Sequence, residues 1–197
     1  MAKKEHKIDL NHYIRVYENF LPLDKLQIML KYFNSDLTKD LWQSGRVGDT
    51  GDGGRLDKSV RVVDCIGLTN VSNSLTCVHF GWWLQKQILN HVRQYVKDTG
   101  AEVGDMQFSD IEVLRYKASE GGVYKPHVDS SLLYPRRLSI IILLNNEYEG
   151  GQLEFPGVGK IAKTANTGII WPSAFMYPHG VNPVTKGTRY SIVGWIN

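Results

Sequence analysis

YKPHVDSSLLYPRRLSIIILLNN, residues 124–146, sets His127 and Asp129 two positions apart just before the apolar run Leu138–Leu144. An apolar run of that length, closed by Asn145 and Asn146, reads as a strand buried on both faces. In an extended chain, side chains at i and i+2 point the same way, with their roots roughly 6 to 7 Å apart. One metal ion can bridge such a pair, so His127 and Asp129 are two candidate ligands. His179 in MYPHGVNPV, residues 176–184, supplies a third. Two histidines and one carboxylate on one side of an iron(II) ion leave the other coordination positions open for chemistry.

An HxD pair alone carries little weight, because it arises readily by chance. It gains weight from Arg189 in TRYSIVGWIN, residues 188–197. An arginine facing the inside of a barrel is a costly buried cation unless it meets an anion, and its planar fork suits a carboxylate. With a period of two, Ser191 and Trp195 share its face.

Outward from this core, the second half of the chain breaks into short apolar or alternating runs separated by Gly, Pro and Asn. Strands are expected at 107–117, 124–129, 138–144, 152–155, 160–164, 168–171, 176–181 and 189–196. Many short strands with turn signals between them favour a sandwich or barrel over a doubly wound sheet. The expected fold is mainly β with supporting helices, a jelly roll. Gly150 and Gly151 read as a tight turn.

The first half supplies the support. A short strand in IRVYENF leads into a helix with Leu26, Met29, Leu30 and Phe33 on one face. A second helix over 75–100 is expected to present Trp82, Gln85, Leu89, Val92 and Val96, with Gly100 as its stop. SVRVVDCIGL, residues 59–68, reads as a strand. Five glycines between Ser44 and Ser59 mark a long loop suited to a lid. His6, His12, His79 and His91 read as solvated or helix-face residues. One domain is expected over 1–197, with support from 1 to about 104 and the jelly roll from about 105 onward.

The 23 Lys+Arg against 20 Asp+Glu leave a net charge of +3, and the basic residues are scattered, so nothing calls for nucleic acid. Cys65 and Cys77 have no metal spacing and read as free thiols of a reducing compartment, which makes a cytoplasmic location the expectation. The first residues lack the apolar core of a signal peptide, and no apolar run reaches the roughly 18 residues of a membrane span.

HVD, then RRLSIIILLNNEYEGGQLEF, then PHGVNPVTKGTRYSIVGWIN together resemble the iron(II)- and 2-oxoglutarate-dependent dioxygenases of the prolyl 4-hydroxylase-like branch, over about Leu114 to Asn197. The resemblance implies a double-stranded β-helix. It makes His127, Asp129 and His179 the iron ligands and Arg189 the partner of the far carboxylate of 2-oxoglutarate. It sets Tyr116 beside that cosubstrate and Trp195 near the substrate; Ser191 joins the cosubstrate side by sharing the face of Arg189, and Tyr124 either lines the entrance to the substrate or covers the strand. Leu143 stands where oxygen-sensing members place a tyrosine, which weakens that analogy.

The implied reaction consumes 2-oxoglutarate and O2, yields succinate and CO2, and hydroxylates a C–H bond, with ascorbate as an optional reductant. The implied substrate is a prolyl residue in a peptide or protein. A free amino acid or other small molecule is the alternative, as is a non-catalytic cupin-like binding module. A nucleic-acid demethylase of the superfamily would carry a second arginine soon after Arg189, and none follows.

Overall fold

The run Leu138–Leu143 is buried at every position because both of its faces are covered. A computed structural model describes residues 9–48, 54–69, 74–161 and 164–197 of the chain. In chain order the strands are β1 (Arg15–Tyr17), β2 (Gln43–Ser44), β3 (Arg61–Val62), β4 (Asp64–Gly67), β5 (Phe108–Lys117), β6 (Val123–His127), β7 (Leu138–Leu143), β8 (Tyr148–Gly150), β9 (Leu153–Phe155), β10 (Gly159–Lys160), β11 (Thr167–Pro172), β12 (His179–Val181) and β13 (Val184–Ile196). The helices are α1 (Leu23–Phe33) and α2 (Leu75–Thr99).

The strands form two sheets. The larger runs β1-β11-β7-β13-β5-β4-β2, with β8 added along β13, and the smaller runs β10-β9-β12-β6-β3. Alternation along the strands divides the apolar residues. On β7, Leu138, Ile140 and Ile142 join the core beneath the helices, whereas Ile141 and Leu143 turn to the other face. On β13, Tyr190, Ile192 and Ile196 take the helix side, and Val193 and Trp195 the other.

Helix α1 buries Leu26, Met29 and Phe33, with Leu30 packed at the margin of the same core. Helix α2 is capped by the Ser74 side chain, which accepts from the Cys77 N–H, and stops at Gly100 in the left-handed region, φ 69°. Its buried face is Cys77, Gly81, Leu84, Ile88, Val92, Tyr95 and Thr99, not the expected face led by Trp82, which is 61% exposed. The reason is Gly81. A Cβ there would strike the Leu68 carbonyl, so the helix lies on the chain at its one residue without a side chain and turns Trp82 outward.

The expected strand over 59–68 is two strands in two sheets. Arg61–Val62 pairs with β6, and Asp64–Gly67 with β5. The chain therefore passes between sheets at Val63 and leaves Arg61 at the space between them. Sequence reading also missed β8, whose Gly150 and Gly151, φ 72° and 64°, close the turn beside it. Of the expected lid, a bridge joins Val47 to Arg55, and 49–53 lie outside the described residues, as do 162 and 163 of the strand expected at 160–164. His91 is stacked on Phe20 with centroids 3.7 Å apart, and His6 lies outside the described residues. Both cysteines are free thiols. Among the described residues no helix is long and apolar enough to cross a membrane.

Candidate metal centre

Strands β6 and β12 are antiparallel, with His127 and His179 as direct Cα partners. Each imidazole is fixed from behind, because Nδ1 of His127 lies 3.0 Å from the Lys125 carbonyl and Nδ1 of His179 lies 3.1 Å from the Tyr177 carbonyl. A carbonyl can only accept, so each Nδ1 donates to it and each Nε2 is the atom that faces inward. Asp129, two residues beyond His127, meets both: Oδ1 is 3.5 Å from His127 Nε2 and Oδ2 is 3.4 Å from His179 Nε2. One ligand atom from each of the three residues falls within 4.8 Å of the others.

The carboxylate is itself held. Ser139 Oγ donates to Asp129 Oδ2 at 2.6 Å, and Ser173 Oγ lies 2.7 Å from Ser139 Oγ. Since the Ser139 hydroxyl proton goes to Asp129, Ser173 donates to Ser139. Burial alone would push the Asp129 carboxyl up, but the two imidazoles outweigh it and hold it well below the usual carboxylate range. Burial also holds His127 below its usual value, although Asp129 works against it. At neutral pH the pair is thus an ionised carboxylate beside a neutral imidazole, the protonation a metal ion requires. Two nitrogen donors and one oxygen donor fit iron(II).

A cavity of about 420 Å³ opens over this cluster, and Tyr116, Tyr124 and Trp195 line it together with the three candidate ligands. Tyr124 stacks on His127 at 3.6 Å between centroids. Burial pushes the Tyr116 hydroxyl up to about 12, so it stays protonated. Arg189 and Ser191 are fully buried on β13 and, unlike Val193 and Trp195 of the same strand, are not among the residues lining the cavity. Arg189 Nη1 donates to Ser191 Oγ at 2.8 Å, and its guanidinium carbon lies 5.1 Å from the Tyr116 ring centroid. Among the described residues its Nε and Nη2 have no hydrogen-bond partner. Gly151 makes room for the arginine stem, since a Cβ there would sit 3.1 Å from Arg189 Cδ.

Sequence reading missed Arg46, Arg61, Glu112 and Arg136, all of which line the cavity. For Arg136 a signal existed in the opening stretch. Neighbours in an extended chain point to opposite faces. Accordingly Arg137 Nη1 donates to the Val103 carbonyl at 2.6 Å, while Arg136 turns to the cavity and stacks on Trp195. The other three depend on the sheet crossing at Val63 and on the pairing of β5.

Residues 111–197 match the family model of the 2OG-Fe(II) oxygenase superfamily. Over these residues the chain is similar to that superfamily. Among curated relatives, a PKHD-type hydroxylase of Maricaulis maris (strain MCS10) is 35% identical over 95 residues, 45% of this chain and 42% of the relative. A second, from Gloeothece citriformis (strain PCC 7424), is 32% identical over 124 residues, 56% of each chain. The chain thus spans about half the length of the curated relatives it matches. Two solved structures share the fold. A Pseudomonas putida prolyl-4-hydroxylase superposes with a TM-score of 0.67 at 17% identity, covering 94% of this chain and 92% of that one. A Trichoplax adhaerens prolyl hydroxylase, in complex with a hypoxia inducible factor peptide fragment, gives 0.71 at 18% identity, covering 95% and 84%. The two facing sheets form a double-stranded β-helix, the fold of these two structures.

Proposed function

We propose that the protein is an iron(II)- and 2-oxoglutarate-dependent dioxygenase that hydroxylates a prolyl residue in a peptide or protein. The observation that carries this reading is a two-histidine, one-carboxylate cluster backed by a buried arginine with unpaired nitrogens. A non-catalytic cupin-like module would have no use for that arginine. The prolyl assignment is supported by the printed names of the similar structures, one of which holds a peptide. The two free thiols support a cytoplasmic site of action. The described residues are taken as one catalytic unit.

His127, Asp129 and His179 would hold iron(II), and Arg189 would hold the far carboxylate of 2-oxoglutarate, with Ser191 fixing the guanidinium and Tyr116 beside it. When bound, the metal and cosubstrate supply the oxidation: O2 is consumed, 2-oxoglutarate becomes succinate and CO2, and one oxygen atom enters the C–H bond. The chain's own residues do the rest. Ser139 and Ser173 orient the Asp129 carboxylate, and the backbone carbonyls of Lys125 and Tyr177 keep both imidazoles in the tautomer that binds metal. Trp171 and Phe155, packed around His179, exclude water from its side of the cavity. Tyr124, stacked on His127, and Trp195, stacked on Arg136, line the side of the cavity that would receive the substrate.

The test is to incubate the iron-loaded protein with 2-oxoglutarate and a library of proline-containing peptides, following succinate and the gain of one oxygen by mass spectrometry. Hydroxylated proline with matching succinate supports the reading. Absence of both, with no 2-oxoglutarate binding to the metal-loaded protein, overturns it.

A further inference from the structure

The cavity over the candidate metal centre continues into a second, more polar hollow of about 480 Å³, and the two share Arg46, Gly48, Arg61, Glu112, Tyr134 and Arg136. The neck between them is walled by three guanidinium groups and one carboxyl. Arg46 is exposed, whereas Arg61 and Arg136 are half-buried. The Arg136 guanidinium carbon lies 3.7 Å from the Trp195 ring centroid and 5.3 Å from that of Tyr134, so its flat face is stacked while its edge is left for a partner. Arg61 rests over Tyr124 at 4.7 Å and donates from Nη1 to the Arg46 carbonyl at 2.8 Å. Arg46 donates from Nη1 to the Gly54 carbonyl at 3.0 Å.

None of the three arginines has a carboxylate within ion-pair distance among the described residues, and the buried Nε atoms of Arg61 and Arg136 have no hydrogen-bond partner there. Glu112 offsets them only in part, because burial pushes its carboxyl up even though Arg61 and Arg136 pull it down. Confined guanidinium groups without counter-ions are costly, and their planar forks match a carboxylate with two parallel hydrogen bonds. A single negative charge suits a neck that also holds Glu112.

We propose that the substrate carries a carboxylate close to the carbon that is hydroxylated, and that Arg136, backed by Arg61, binds it at the neck. This rests on the dioxygenase reading and names the substrate class for that site. The carboxylate has two sources, an acidic side chain next to the target residue in a peptide or the α-carboxylate of a free amino acid.

Both are tested by binding, without turnover. Zinc-loaded wild type, Arg136→Gln and Arg136→Lys, each checked for folding by its melting curve, are titrated with two sets of twins. One set is proline-containing tetrapeptides with Glu or Gln beside the proline; the other is free proline and leucine with their amides. In wild type one set should show the carboxylate twin binding about 10-fold or more tighter than its amide. The ratio should fall to about 1 in Arg136→Gln and stay above it in Arg136→Lys, which keeps the charge and loses the fork. Preference in the peptide set identifies the side chain, and in the amino-acid set the α-carboxylate. No carboxylate preference in either set, including no binding to any ligand, overturns the proposal, as does a preference that survives in Arg136→Gln. A separate titration of the metal-loaded wild type with 2-oxoglutarate alone reports on the dioxygenase reading, so the two fail independently.

Discussion

His127 and His179, direct partners across the β6–β12 ladder, place their ring centroids 4.5 Å apart with Asp129 bridging both Nε2 atoms. Two strands of one sheet therefore fix the donor geometry before any ion arrives. Asp129→Ala should abolish tight iron(II) binding and any 2-oxoglutarate turnover while circular dichroism stays native. Iron affinity retained in that variant would remove the carboxylate from the ligand set.

Arg189→Leu separates a cosubstrate clamp from a structural cation. Removing the partner of a buried carboxylate costs on the order of 3 to 5 kcal/mol, so 2-oxoglutarate affinity should drop about 100-fold to several thousand-fold. Because Arg189 Nε and Nη2 have no partner among the described residues, the cosubstrate-free variant should melt no lower than wild type. Unchanged oxoglutarate affinity with a lowered melting temperature would make Arg189 structural.

Gly81→Ala sets helix propensity against packing. Alanine in a helix interior is worth about 1 kcal/mol over glycine. Here, however, its Cβ meets the Leu68 carbonyl, which is backbone and cannot swing away, and overpacking of this kind costs about 1 to 3 kcal/mol. The net cost of about 0 to 2 kcal/mol should lower the melting temperature by up to about 8 °C. A rise would mean that α2 shifts freely over β4.

Asp64 links two strands to stability in acid. Its Oδ2 lies 2.8 Å from Arg115 Nη2 and 2.8 Å from Lys117 Nζ. Burial raises its carboxyl, but these two cations outweigh it and lower it below the ordinary 3.8. A depressed carboxylate contributes fully above its unfolded value and loses that contribution as pH falls through the folded one. Asp64→Asn should therefore melt below wild type at neutral pH, with the gap closing below about pH 4. A gap independent of pH would point to packing instead.

The barrel was legible because β7 and β13 carry two signals at once, apolar content for burial and a period of two for direction. His127, Asp129 and His179 were legible for the related reason that i and i+2 share a face. The face of α2 was misread because Trp82 is apolar and large, whereas the residue that sets the rotation, Gly81, shows its effect only against Leu68. The arginine neck was missed because Arg61 reaches it through a change of sheet within one apolar run.

Strand β13 lies between β7 and β5, both of which precede it in the chain, and β1 pairs with β11. At a synthesis rate of about 5 to 20 residues per second, several seconds separate the appearance of β7 from that of its neighbour. Until then the edges of β5 and β7 that will flank β13 have no β13 to cap them and are open to other chains. Burial of Arg189 and completion of the cavity wait for β13, so a holdase that covers strand edges should raise the yield of active protein.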